Sequence, residues 1–118
     1  INPLILEGQI VGGFVQGLGQ AAGEHAIYDA DGGQLVTATF MDYVMPRAEW
    51  FPDIDFRYQE IPSPRNPLGL KGAGEAGTVG AAPAYVNAVL DALASRGIEH
   101  VDMPVTPLRV WQALHAAR

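Results

Sequence analysis

The segment from Lys71 to Glu75, of sequence Lys-Gly-Ala-Gly-Glu, places one carboxylate among glycine and alanine residues. Small neighbours leave room for a ligand to approach the backbone. Apolar surroundings disfavour the charged form of a carboxyl group and so raise its proton affinity. A carboxylate with these properties is a candidate general base. We therefore take Glu75 as the candidate catalytic residue.

Two glutamines near the N-terminus, Gln9 and Gln16, form a second candidate group. They are seven residues apart, so they lie on nearly one face of a helix. Their amides could donate hydrogen bonds to an anionic or oxo ligand. Amides in folded proteins usually bond to local partners, and from the residues alone this structural role is the preferred interpretation.

The residues from Gly72 to Gly77 also satisfy the G-x-G-x-x-G pattern of dinucleotide-binding folds. That fingerprint requires an apolar strand that leads directly into the first glycine, whereas the lead-in here is rich in proline. A phosphate-binding P-loop also fails, because Lys71 precedes the glycines and no Gly-Lys-Ser/Thr follows. Neither nucleotide-binding motif is supported.

Length and composition exclude several classes of site and partner. A chain of 118 residues has the size of one domain. Its net charge is -6, with 7 basic residues that are scattered rather than clustered, so nucleic acid is not an expected partner. The absence of cysteine excludes disulfides, thiolate metal sites and a cysteine nucleophile within the chain. The three histidines, His25, His100 and His115, are too far apart in sequence to indicate one metal site.

The most apolar stretch, residues 4–18, contains Glu7 and two glutamines, so it does not match an uninterrupted membrane span. No secretory signal pattern begins the chain. A soluble, cytoplasmic protein without a membrane partner is therefore expected.

The patterning predicts three helices. The first begins after Asn2 as N-cap with Pro3 in its first turn and ends near Gly23. The second runs from about Val79 to a stop at Gly97. A third begins at residues 106–107 and points four side chains toward the core: Leu108, Trp111, Leu114 and His115.

Three segments are predicted to be β-strands. Residues 25–28 and 35–40 resemble two strands joined by an Asp-Gly turn, and residues 54–59 alternate apolar with polar side chains. The proline-rich stretch 62–67 places the following Glu75 segment on a loop. The predicted fold class is α+β, with three helices packed on a small, mostly antiparallel sheet.

Glycine is unusually frequent in the first predicted helix, which contains Gly8, Gly12, Gly13, Gly17, Gly19 and Gly23. Each glycine costs roughly 1 kcal/mol relative to alanine in a helix interior, so the total is on the order of 6 kcal/mol. Either close packing within the domain or contact with a bulky ligand or another domain could offset this cost.

Six motifs occur in order along the chain: residues 1–9 (Ile-Asn-Pro through Glu-Gly-Gln), 12–19 (Gly-Gly-Phe-Val-Gln-Gly-Leu-Gly), 41–46 (Met-Asp-Tyr-Val-Met-Pro), 62–64 (Pro-Ser-Pro), 71–75 and 87–89 (Asn-Ala-Val). Together they resemble the C-terminal end of the molybdenum-binding large subunit of the xanthine dehydrogenase and aldehyde oxidase family. The likeness is closer to the carbon monoxide dehydrogenase large-chain branch. It covers essentially the whole chain.

The resemblance implies a molybdenum hydroxylase that uses water as its source of oxygen, and the C-terminal part of a molybdopterin-binding domain as the fold. The implied cofactor is molybdenum with molybdopterin, expected in a dinucleotide form. By similarity, Glu75 matches the catalytic glutamate that accepts a proton, and Gln9 matches a glutamine that contacts the cofactor close to the metal. Gly72 and Gly74 would let the backbone approach the same place, and Lys71 receives no firm role.

The resemblance also implies partners. These are the N-terminal remainder of the large subunit, iron-sulfur and flavin subunits or domains, and a small-molecule substrate, which is an aldehyde, an N-heterocycle or carbon monoxide. Residues 1–118 are expected to be a C-terminal fragment of the domain. Alone, it should be inactive, hold no cofactor and self-associate as a homo-oligomer. The alternative is a folded assembly module, or an orphan fragment, without catalytic function.

Overall fold

The structure, a computed structural model, describes residues 1–51 and 53–116. It contains three α-helices, α1 (Pro3–Ala22), α2 (Ala76–Leu93) and α3 (Pro107–Ala116). Single turns of 3₁₀ helix lie at Ala48–Trp50 and Ala94–Arg96. The three predicted helices are confirmed, although α2 begins three residues earlier than predicted.

The helix ends follow the local signals in the sequence. The Asn2 side chain accepts a hydrogen bond from the Ile5 amide at 3.2 Å, and Pro3 occupies the first turn of α1. After α2, Gly97 adopts the left-handed conformation with φ of 70°, which favours glycine. At the start of α3, the Thr106 hydroxyl accepts a hydrogen bond from the Arg109 amide at 3.3 Å.

The prediction of an α+β fold with an antiparallel sheet is wrong, because the described residues form no strand. The expected hairpin is reduced to one isolated antiparallel bridge between Tyr28 and Leu35. Beyond the two backbone hydrogen bonds at this bridge, the Thr37 side chain accepts a hydrogen bond from the Ile27 amide and donates one to the His25 carbonyl. A two-stranded ribbon with no further strand to pair with is only marginally stable.

Residues 53–60 lie outside helices and strands, as unpaired chain. The alternation of apolar and polar side chains here reflects partial burial of Phe56 beside exposed neighbours. The predicted strand over residues 54–59 is therefore wrong, since a period of two in the sequence could not supply a partner strand.

The buried core lies where the end of α2, the loop after it and α3 meet. It consists of Leu93, Ile98, Val101 and Val105. From α3, Leu114 packs against this cluster, whereas Leu108 is 62% exposed and Trp111 is 55% exposed. The prediction that Leu108, Trp111 and His115 face the core is therefore wrong, since His115 is exposed as well. The Trp111 ring instead lies beside the His115 ring, with centroids 3.9 Å apart.

Helices α1 and α2 pack so closely that their backbones are in contact. A Cβ atom at Gly17 would stand 2.8 Å from both the Ala81 Cβ and the Thr78 carbonyl oxygen. A Cβ at Gly13 would stand 3.1 Å from the Thr78 hydroxyl. Close packing within the chain therefore explains Gly13 and Gly17, since any side chain would force the helices apart.

Two other glycines of α1 have no such explanation. Gly8 and Gly12 have nothing within 4 Å of the place where a Cβ would stand. The exposed side chains of Ile1, Leu4 and Ile5 precede them, and Leu4 is 79% exposed. The N-terminal half of α1 therefore presents an apolar, glycine-containing surface to solvent.

Alanine at Gly8 or Gly12 should stabilise the 118-residue chain. The added methyl group meets open space, and alanine is favoured over glycine in a helix by up to about 1 kcal/mol. Urea denaturation followed by circular dichroism should show a higher midpoint for each variant. A lower midpoint would mean that these positions are already packed.

The chain is extended for its length. Its radius of gyration is 18.2 Å, whereas about 13 Å is expected for a compact domain of this size. Within the described residues, no helix is both long and apolar enough to cross a membrane.

Candidate functional site

Glu75 stands at the junction between the glycine-rich loop and α2. It is the N-cap residue of α2, but its side chain makes no capping hydrogen bond. The side chain is exposed, so the small apolar neighbours seen in the sequence do not enclose it. Its carboxylate is consequently free to act on a ligand.

Gln9 connects helix α1 to the loop that carries Glu75. Its side-chain Nε2 donates a hydrogen bond to the carbonyl oxygen of Gly74 at 3.1 Å. The structure thus brings together two candidate residues, Gln9 and Gly74, that are 65 positions apart in the sequence. Since Gln9 is exposed, its remaining N–H and its Oε1 are accessible.

An open cleft of about 500 Å³ lies beside Glu75. Eight residues from α1, the Tyr43 region and the start of α2 line it: Gln16, Gln20, Glu24, Tyr43, Gly74, Glu75, Thr78 and Val79. The lining combines amide, carboxylate and hydroxyl groups with one exposed valine. A cleft with this lining and volume suits a large polar ligand.

The sequence prediction missed five of these residues. Gln20 could have been found, because it continues the face of α1 that begins at Gln9 and Gln16 at helical spacing. The other four, Glu24, Tyr43, Thr78 and Val79, carry no such signal, because tertiary packing brings them to the cleft.

The loop glycines are open to solvent. Apart from their chain neighbours, neither Gly72 nor Gly74 has a described atom within 4 Å of the position that a Cβ would take. The backbone at these two positions is therefore uncovered. Lys71 is exposed and makes no salt bridge within the described residues.

Two of the three histidines have local partners. His100 pairs with Asp102 at 2.9 Å, and this hydrogen bond lowers the pKa of the Asp102 carboxyl. His115 bonds to the Trp111 carbonyl oxygen at 2.8 Å. Among the described residues, no group of three or more His, Asp or Glu side chains could hold a metal ion.

A second cleft, of about 310 Å³, lies on a different face of α2 and is mostly apolar. Phe14, Phe56 and Ala84 are among its lining residues, whereas Glu75 lines only the polar cleft and Gln9 lines neither of the two. The polar cleft beside Glu75 is therefore the candidate functional site.

The sequence of this chain matches a known domain family and the sequences of known enzymes. Residues 1–52 match the profile of the molybdopterin cofactor-binding domain family. The carbon monoxide dehydrogenase large chain of Hydrogenophaga pseudoflava is 44% identical over 114 residues, which are 97% of this chain and 14% of that protein.

The fold of this chain also matches parts of enzymes whose crystal structures are known. Quinoline 2-oxidoreductase from Pseudomonas putida 86 superposes with a TM-score of 0.89 at 49% identity, over 98% of this chain and 14% of that chain. A Cu,Mo-containing carbon monoxide dehydrogenase superposes with a TM-score of 0.91 at 38% identity, over 99% of this chain and 15% of that chain. The chain thus spans about one seventh of the length of these relatives.

Proposed function

Because the chain belongs to the molybdenum-binding large subunits of the xanthine dehydrogenase family, we propose that it supplies the catalytic base and one wall of the cofactor site of a molybdenum hydroxylase. The observation that carries this proposal is the free carboxylate of Glu75 at the rim of an open polar cleft, next to the bond between Gln9 and Gly74. The enzyme oxidatively hydroxylates an aldehyde, an N-heterocycle or carbon monoxide.

The residues present fit a large polar cofactor. The backbone at Gly72 and Gly74 is open on the side where a Cβ would stand, so nothing blocks close approach. The amide of Gln9 is oriented by the Gly74 carbonyl and still offers one N–H and one oxygen to a ligand. Gln9, Gly72 and Gly74 would therefore hold the molybdopterin, in a dinucleotide form, on this side.

When bound, the molybdenum cofactor supplies the two-electron oxidation of the substrate, with water as the source of the added oxygen. Glu75 accepts, at one of its carboxylate oxygens, the proton that the attacking oxygen loses. A positioned base of this kind contributes typically about 10²- to 10⁴-fold to a rate. The Gln9–Gly74 hydrogen bond holds the turn that carries this base.

The remainder of a larger subunit completes the site. The exposed Ile1, Leu4 and Ile5, the open positions Gly8 and Gly12, and the large radius of gyration all support a covering partner for α1. Iron-sulfur and flavin subunits or domains would then accept the electrons.

The experiment compares the complete enzyme, purified with wild-type Glu75 or with Glu75→Gln. Turnover of aldehydes, N-heterocycles and carbon monoxide is measured together with molybdenum and pterin content. Loss of turnover at unchanged cofactor content supports the proposal. An unaffected rate would remove Glu75 from the role of base.

Gln9→Met should lower cofactor content. Methionine keeps the length of the side chain, but it cannot donate to Gly74 or bond a polar ligand. We expect purified Gln9→Met enzyme to contain less than about half of the wild-type pterin, since one net hydrogen bond contributes about 0.5–1.5 kcal/mol. Wild-type pterin content in this variant would show that Gln9 does not contact the cofactor.

A further inference from the structure

Thr78 makes a hydrogen bond that its position in a helix does not require. It lies three residues after Glu75 in α2, and it is partly buried. A helical threonine hydroxyl commonly bonds to a carbonyl one turn back in its own helix. Here the Thr78 Oγ1 donates instead to the carbonyl oxygen of Gly13 in α1, at 2.9 Å.

This bond has a counterpart on the other side of Glu75. Gln9 of α1 donates to Gly74, and Thr78 of α2 donates to Gly13. The two bonds run in opposite directions between the helices and are four residues apart on each side. The turn that carries Glu75 is therefore attached to α1 both before and after the carboxylate.

The packing around these bonds allows little movement. A Cβ at Gly13 would already stand 3.1 Å from the Thr78 hydroxyl and 3.3 Å from the Thr78 amide nitrogen. Within the described residues, the Glu75 side chain makes no capping hydrogen bond that would fix it at the start of α2. Its location relative to α1 consequently depends on the contact between α1 and the start of α2, which these two hydrogen bonds span.

We propose that Thr78 is a positioning residue for the catalytic base, acting through the carbonyl of Gly13 to fix Glu75 relative to Gln9. This inference rests on the proposed function, since it assigns Thr78 a role in the reaction that Glu75 performs. A displacement of about 1 Å at a reacting group can reduce a rate on the order of 10²-fold. Loss of the hydroxyl should therefore affect turnover more than substrate affinity.

The test uses the complete enzyme with two matched variants. Thr78→Val removes the hydroxyl and keeps the shape, and Thr78→Ser keeps the hydroxyl. We expect Thr78→Val to lower kcat by about 10- to 100-fold with KM within about twofold of wild type. Thr78→Ser should retain kcat within about threefold.

Hydrogen exchange provides a readout that does not depend on activity. Amides of residues 72–80 should exchange faster in Thr78→Val than in wild type or Thr78→Ser, because opening of the turn becomes easier. Equal exchange in all three proteins would overturn the inference. So would a Thr78→Ser variant as slow in turnover as Thr78→Val, which would assign the effect to the methyl group.

A double variant separates this inference from the proposed function. If Thr78 acts through Glu75, adding Thr78→Val to Glu75→Gln should cause no further loss of turnover. A further loss of the same size as in wild type would mean that Thr78 acts independently. A raised KM with unchanged kcat would mean that Thr78 contacts the ligand instead, and would also overturn the inference. If Glu75→Gln alone is fully active, the proposed function fails as well.

Discussion

Glutamine in place of Glu75 should lower kcat of the complete enzyme by about 10²- to 10⁴-fold, the usual contribution of a positioned general base. An amide has the shape of the carboxylate but cannot accept the proton. The side chain is exposed and makes no capping hydrogen bond, so its replacement should not disturb the fold. Because the lost interaction belongs to the reaction step, kcat and kcat/KM should fall together.

Two further variants make this result specific. Glu75→Asp keeps a carboxylate but shortens the side chain by one methylene, so we expect a rate between those of wild type and Glu75→Gln. Glu99→Gln makes the same chemical change at an exposed glutamate in the loop after α2, and it should leave kcat within about twofold. Equal losses at positions 75 and 99 would contradict a specific role for Glu75.

The helices were predictable because their signals are local. Asn2 and Pro3 mark the beginning of α1, and Gly97 marks the stop after α2 with a backbone conformation that other residues rarely adopt. Each signal lies within a few residues of the feature it specifies. Helix bounds therefore agreed with the structure to within a few positions.

The sheet was not predictable from the same kind of signal. The Asp-Gly turn between residues 25–28 and 35–40 and the alternation in residues 54–59 favour strands, but a strand also needs a neighbour that accepts its hydrogen bonds. Within the described residues, only the Tyr28–Leu35 bridge forms. Much of the apolar surface on these segments is exposed, so the sequence alone could not show what covers it.

The candidate site, like the fold, could be predicted only in part. Gln9, Gln16 and Glu75 were identified from residue type and spacing, and the structure places Gln9 against the loop before Glu75. Thr78 and Tyr43 reach the cleft only because α1 packs on α2 and because the chain after α1 folds back. The spacing of residues in the sequence does not predict that packing.

Gly77 illustrates how packing can give a glycine a role that a motif search misassigns. It is the last glycine of a G-x-G-x-x-G pattern, yet its surroundings are not those of a nucleotide site. A Cβ here would fall far inside van der Waals contact with the Ile10 carbonyl oxygen and only 2.8 Å from the Phe14 nitrogen. Both are backbone atoms of α1, so neither can rotate away.

Gly77→Ala should therefore destabilise the 118-residue chain by about 2 kcal/mol or more, although alanine favours the helix by about 1 kcal/mol. Urea denaturation should show a lower midpoint for Gly77→Ala. Gly80→Ala is the matched control in the same helix, with nothing within 4 Å of its added methyl group, and it should raise the midpoint.

The same substitution should reduce catalysis in the complete enzyme. Separation of α1 from α2 at Gly77 would stretch both the Gln9–Gly74 and the Thr78–Gly13 hydrogen bonds, which lie on either side of Glu75. Turnover should fall in Gly77→Ala and not in Gly80→Ala, and faster hydrogen exchange in residues 72–80 should accompany the loss. Full turnover in a Gly77→Ala enzyme would mean that the contact between α1 and α2 does not set the position of the base.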